Sequence, residues 1–203
     1  MLAVPGRWVW LRTRLGEITR GLSSVSWIGE FQLEFGTAAP VVRAVDESEA
    51  LQDLMEEATG VRVHYMFSRV GGLLADVPEG WTDRARTVLA EVGVAVESDL
   101  APVIRTDPLF AERTVGVGVL TRADALSYGA SGPVARASGV DLDLRRDAPD
   151  LAYGELDVDR VGDAAVASTA RFRRRPAHRA ESRDLARPSL IAPPAGPVDA
   201  HLT

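Results

Sequence analysis

Leu11, Leu15, Ile18, Leu22 and Val25 recur at steps of four, three, four and three, which lays one apolar stripe along a helix. Arg12, Arg14, Glu17 and Arg20 fall off that stripe. The helix is expected to run on towards Gly36, with Pro40 ending it. A second helix reads from "DESEALQDLMEEATG" (46–60), where Asp46 would cap, Glu49 follows three residues on, and Gly60 suits the position after the last turn. Its buried stripe would be Leu51, Leu54, Met55 and Ala58. Residues 61–80 lose the helical period and break at Gly71-Gly72, so an extended or irregular entry and a loop are expected. Helical spacing returns at Trp81, Ala85, Val88, Val92 and Val96 and predicts a helix over 80–104.

The later chain is read from punctuation rather than period. "DPLFAERT" reads as a short helix with Asp107 as cap and Pro108 at its first position. Thr121 and Asp124 open another that ends near Gly129. "YGASGPVARASGVDLDLRR" (128–146) reads as a long loop, 151–158 as an extended segment, and 163–173 as the start of a last helix. Beyond Phe172 the apolar spacing vanishes and Pro176 and Pro188 interrupt, so 174–203 is expected to be a poorly ordered arginine- and proline-rich tail behind a 1–173 core. The pattern predicts a mainly α fold, a bundle of about four helices with long irregular connections.

Composition narrows the chemistry. The chain of 203 residues is 46% hydrophobic and 26% charged, which marks an ordinary globular protein. No apolar run reaches the roughly 20 residues of a membrane span, and the start lacks the features of a secretory signal. Net charge is −6, so nucleic acid is not an expected partner. Seven arginines crowd 171–187, but stacking aromatics are missing there, which counts against an RNA-binding arm. There is no cysteine, which excludes disulfides, thiolate metal ligands and a cysteine nucleophile. The three histidines, His64, His178 and His201, lack zinc-ligand spacing. "GVGV" (116–119) reads as a tight turn, because the third glycine of a nucleotide fingerprint is missing. Two readings stay open for His64: a half-buried histidine ahead of a loop, or a redox- or proton-handling group, since imidazole titrates near neutrality. Arg69 divides the same way, between a surface arginine and a fixed cation beside a loop of close backbone approach.

The order of motifs carries a resemblance. "DLMEEATGVRVHYMFSRVGGLLADVPEGW" (53–81) holds Thr59-Gly60, Arg62, His64, Arg69, Gly71-Gly72, Asp76 and Pro78. "ERTVGVGVL" (112–120) and "YGASGPVARASGVDLDLRRDAPDLAYGEL" (128–156) follow. These three blocks resemble, in order, the D-type subunit of the proton-pumping NADH-quinone oxidoreductase, respiratory complex I, a family related to nickel-iron hydrogenase large subunits. The resemblance implies the helical core of such large subunits, placed in a peripheral arm at the cytoplasmic side of the membrane. It implies other peripheral-arm subunits as partners, a quinone, and an iron-sulfur cluster held by a neighbour, with no cofactor bound by this chain itself. The family's cluster-adjacent histidine falls on His64, and its Arg-x-Gly-Gly segment on Arg69, Gly71 and Gly72. Its quinone-cavity aspartate falls on Glu34 in "QLEFG", one methylene longer.

The resemblance also implies losses. The chain reads as truncated at both ends, without the family's amino-terminal β-rich region and carboxyl-terminal motifs. Family-like sequence stops near Phe172 and returns at "PPAGPV" (193–198), as a frame-shifted stretch would leave it. The function implied is therefore a part of the quinone site and of the cluster's surroundings. The alternative is a truncated, non-catalytic helical fragment or assembly partner. For 128–146 the expectation is an interface, with Arg136 and Arg145 paired to carboxylates there or on this chain.

Overall fold

The computed structural model describes residues 5–36, 38–102, 107–158 and 194–198. The fold is mainly α. α1 (Gly6–Leu33) and α2 (Ala39–Thr59) pack along each other, and α3 (Trp81–Ala95) lies against α2 and continues through one wider π-helical turn, Val96–Leu100. The expected stripes meet in one core. Leu11, Ile18, Val25 and Ile28 of α1 join Leu51, Leu54 and Met55 of α2 and Trp81, Leu89 and Val92 of α3. Trp81 is fully buried, and its indole N–H donates to the Leu54 carbonyl at 2.8 Å, so its one polar atom is satisfied. The two long helices run close together at Gly29, where an added Cβ would lie 2.5 Å from the Ala44 Cβ.

Four features differ from the sequence reading. α2 starts at Ala39, not at Asp46: Pro40 sits in its first turn, where the missing N–H costs nothing, and Asp46 is an exposed mid-helix residue. Pro40 thus opens a helix rather than closing α1, which ends at Leu33. The 128–146 stretch is not all loop. It holds α6 (Gly132–Ala137) and α7 (Leu144–Asp147), each too short to show a period. Residues 151–158 are not extended but make a turn and a 3₁₀ turn, Tyr153–Glu155.

The smaller elements follow the caps. The Asp107 carboxylate accepts from the Leu109 N–H to start α4 (Pro108–Thr114), and the Thr121 hydroxyl accepts from the Asp124 N–H to start α5 (Arg122–Ser127). Between them Gly116 and Gly118 have φ of 72° and 61°, the turn expected of "GVGV". Trp27, Phe31, Phe35 and Phe110 form an aromatic chain that seats α4 on the end of α1, with ring centroids 4.8–5.4 Å apart along it. Between α2 and α3 lies a hairpin of β1 (Ser68–Arg69) and β2 (Gly72–Leu73), antiparallel, pairing Ser68 with Leu73 and Arg69 with Gly72. The Leu73 N–H donates to the Val198 carbonyl at 2.9 Å, which sets residues 194–198 beside the hairpin. No helix among the described residues is long and apolar enough to cross a membrane. The helix expected over 163–173 and most of the 174–203 tail lie outside the described residues.

Candidate functional site

Four of the five sequence-predicted residues, His64, Arg69, Gly71 and Gly72, lie on the loop that leaves α2. Gly60, at φ 82°, ends the helix, and the Thr59 hydroxyl accepts from the Val61 N–H at 3.4 Å. The backbone then turns left-handed twice at residues with side chains: His64 has φ 31° and Met66 has φ 44°. Each such conformation costs on the order of 1 kcal/mol or more and persists only where surrounding contacts hold it. Those contacts are Tyr65 and Phe67, which reach into the core on either side of Met66.

His64 itself is exposed rather than half-buried, and among the described residues it has no hydrogen-bond or ion-pair partner. Arg69 is exposed on β1 directly opposite Gly72, which is buried, and Gly71 makes the hairpin turn at φ 87°. That turn needs a residue without a Cβ. Val63, Met66 and Val70 stand 62%, 83% and 86% exposed around them. The structure therefore brings Arg69, Gly71 and Gly72 onto one hairpin, with His64 a few residues before it. Glu34 stands apart, exposed in the turn after α1. Its carbonyl accepts from Arg113 Nη1 at 3.2 Å, and no hydrogen bond or ion pair among the described residues links it to His64 or Arg69. No group of three or more histidine, cysteine, aspartate or glutamate residues among the described residues could hold a metal ion.

A second constellation is buried, and the apolar period gives no sign of it. Glu17 is 1% exposed on α1. The Tyr153 hydroxyl donates to its Oε1 at 2.6 Å, Arg20 Nε donates to its Oε2 at 3.1 Å, and Arg145 Nη1 lies 3.7 Å from Oε1. Burial and the neighbouring Glu17 carboxylate both push the Tyr153 hydroxyl above its ordinary pKa. Arg145 also clasps Asp143, Nε to Oδ1 at 2.9 Å and Nη2 to Oδ2 at 2.6 Å, and Arg136 Nη1 lies 3.3 Å from the same Oδ2. Burial alone would raise the Asp143 pKa, but the hydrogen bonds and charge of Arg145, with Arg136, outweigh it and hold the carboxyl down to about 2.

These pairs tie the late chain to α1. The Ala152 N–H completes the tie by donating to the Thr13 hydroxyl at 3.1 Å. Arg136 and Arg145 thus find their carboxylates on this chain, one of the two expected destinations. Beside them opens a cleft of about 350 Å³, lined by Arg20, Ser24, Ser131, Pro133, Arg136 and Arg145 among others. The signal that could have revealed this network was two charges, Glu17 and Arg20, three residues apart on the α1 helix; Tyr153 offered none.

Comparison with known proteins agrees with the motif order. A family model described as "Respiratory-chain NADH dehydrogenase, 49 Kd subunit" matches residues 34–202. A relative from Salinispora tropica, the second of its D-type subunits of NADH-quinone oxidoreductase, is 52% identical over 84% of this chain and 44% of its own length. Another from Streptomyces coelicolor, the first of its D-type subunits of NADH-quinone oxidoreductase, is 50% identical over 76% of this chain and 40% of its own. The chloroplastic H-type subunit of NAD(P)H-quinone oxidoreductase from Oenothera argillicola is 34% identical over 98% of this chain and 50% of its own. The chain spans about half the length of the curated relatives it matches.

Proposed function

The chain belongs to the family of the respiratory-chain NADH dehydrogenase 49 kDa subunit, and from that premise we propose that it acts as the D-type component, or part of it, in an NADH-quinone oxidoreductase. In this reading it lends side chains to the quinone site and to the surroundings of the terminal iron-sulfur cluster, on the path of electrons from NADH to quinone. The chain has no cysteine, so a thiolate-held cluster would sit on a neighbouring peripheral-arm subunit, with the assembly docked on the cytoplasmic side of the membrane.

The observation that carries the reading is the 61–74 loop. It holds His64 in a strained, solvent-facing conformation, among apolar side chains that water covers poorly. A covering partner would remove Val63, Met66 and Val70 from water and leave His64 between two surfaces. When present, the cluster supplies one-electron transfer. His64 would exchange a proton near it, since its imidazole has no competing partner among the described residues. Arg69 would be a fixed positive charge, held opposite Gly72. Gly71 and Gly72 would let backbone close on the pocket, and Glu34 would be the cavity carboxylate.

The test is a tagged chain expressed with the remaining subunits and purified from membranes. Co-purification with peripheral-arm subunits is expected, and His64→Met should flatten the pH dependence of the cluster's midpoint potential. A chain that purifies alone, or a cluster potential with the same pH slope in the variant complex, would overturn the reading.

A further inference from the structure

Arg62 stands two residues before His64 and reaches back across the end of α2. Its guanidinium pairs with three carboxylates: Asp53 at 2.5 Å, Glu56 at 2.7 Å, and Glu49. Those acids sit at i, i+4 and i+7 on α2, so one helix face gathers three negative charges around one fork. α2 does not need this arrangement to end. Gly60 already provides the left-handed residue, and Leu54, Met55 and Ala58 already fix the last turns in the core.

The chain beyond does need it. Among the described residues no backbone–backbone hydrogen bond ties residues 62–66 to anything. The strained φ values of His64 and Met66 must therefore be imposed by side chains on either side. Downstream, Tyr65 and Phe67 pack into the core. Upstream, Arg62 is the anchor. A single exposed ion pair would hold little, but one guanidinium shared by three carboxylates is a network, which fixes direction as well as charge.

We infer that Arg62 is the positioning residue of His64: its clamp on Glu49, Asp53 and Glu56 sets the backbone that aims the imidazole outwards. The functional meaning of this inference rests on the role proposed above for His64; the geometric part does not.

The experiment uses the full chain, with the His64 imidazole resonance assigned by its loss in His64→Gln. Arg62→Gln should move the His64 C2–H resonance. It should also speed amide exchange across 61–67 by about tenfold or more, while the urea midpoint of the whole chain stays in place. The triple variant Glu49→Gln, Asp53→Asn, Glu56→Gln should reproduce these changes, and adding Arg62→Gln to it should produce no further change, because both remove the same clamp. Arg62→Lys, which keeps the charge but loses the fork, should restore the resonance only in part.

An unmoved His64 resonance in Arg62→Gln would overturn the inference. So would a fall in the global urea midpoint that accounts for all the added exchange, since Arg62 would then be an ordinary stabiliser. In the assembled complex Arg62→Gln should weaken the pH dependence of the cluster potential in the same sense as His64→Met. If His64→Met leaves that slope untouched while the resonance still responds to Arg62, the functional reading fails and the positioning stands.

Discussion

Arg14 lies on α1 among Leu11, Leu15 and Ile18 and is fully buried. Its guanidinium donates one long hydrogen bond, Nη1 to the Thr82 hydroxyl at 3.3 Å, while Nε and Nη2 have no partner among the described residues. The charges closest in effect are of the same sign. Burial first, then Arg7 and Arg86, pull its pKa down from the ordinary value to about 10. A depression of that size corresponds to ~3 kcal/mol of penalty for carrying the charge in the folded state at neutral pH.

Arg14→Met keeps an unbranched apolar stem in the same place and removes the charge. The lost hydrogen bond to Thr82 takes back about 1 kcal/mol, so a net gain of ~2 kcal/mol is expected, in line with replacements of badly compensated buried charges by apolar residues. Urea unfolding followed by tryptophan fluorescence reads this directly, since Trp8 and Trp81 lie in the core. With a slope of about 2 kcal/mol per molar urea the midpoint should rise by roughly 1 M, at an unchanged slope.

The pH dependence has a definite sign. Above about pH 10 the folded wild type releases the Arg14 proton while the unfolded chain keeps it. The unfolded state then binds more protons, so the wild type gains stability as pH rises through that window, and the gap to Arg14→Met narrows. Below it the gap stays constant. A midpoint that is unchanged or lower in the variant would refute the reasoning and mean that Arg14 has a counter-charge.

Two further outcomes follow from the packing and the buried pairs. Asp143, held at about 2 against the ordinary carboxylate value, contributes stability that is fully present above about pH 4 and is lost as pH falls through its folded pKa. Asp143→Asn should remove ~2 kcal/mol at neutral pH and flatten the acid limb of the stability profile between about pH 4 and 2, read by urea midpoints at each pH. Gly29→Ala should cost about 1–3 kcal/mol by forcing α1 from α2, because the new Cβ would meet that of Ala44 at 2.5 Å. Adding Ala44→Gly should recover most of that loss in the same assay, and a Gly29→Ala midpoint equal to the wild type would show that the helices have room to spare.

Local rules made much of the architecture readable. The stripe on α2 fell where its spacing put it, with Leu51, Leu54, Met55 and Ala58 all buried. The caps at Asp107 and Thr121 accept the hydrogen bonds their side chains are built for, and Gly60 takes the left-handed turn. The break read at Gly71-Gly72 is a hairpin, which places Arg69 opposite Gly72. What failed locally was the start of α2, where a proline read as a stop was a first-turn residue, and the 128–158 stretch, whose helical turns of six, four and three residues are too short to repeat an apolar period.

The sequence by itself thus determined the helical class, the ends of several helices, the absence of thiol chemistry and the kinship of the motifs. It placed Arg14 and Glu17 off the apolar stripe, as a helix with one wet face requires. The tertiary structure decided otherwise, by laying α2 along one side of α1 and the 151–156 turn against another, so that Tyr153 meets Glu17 across 136 positions of chain. A 3.6-residue period reports which side chains share a face. How many faces are covered, and therefore which charges must find partners away from water, is fixed only when distant segments come to rest on the helix.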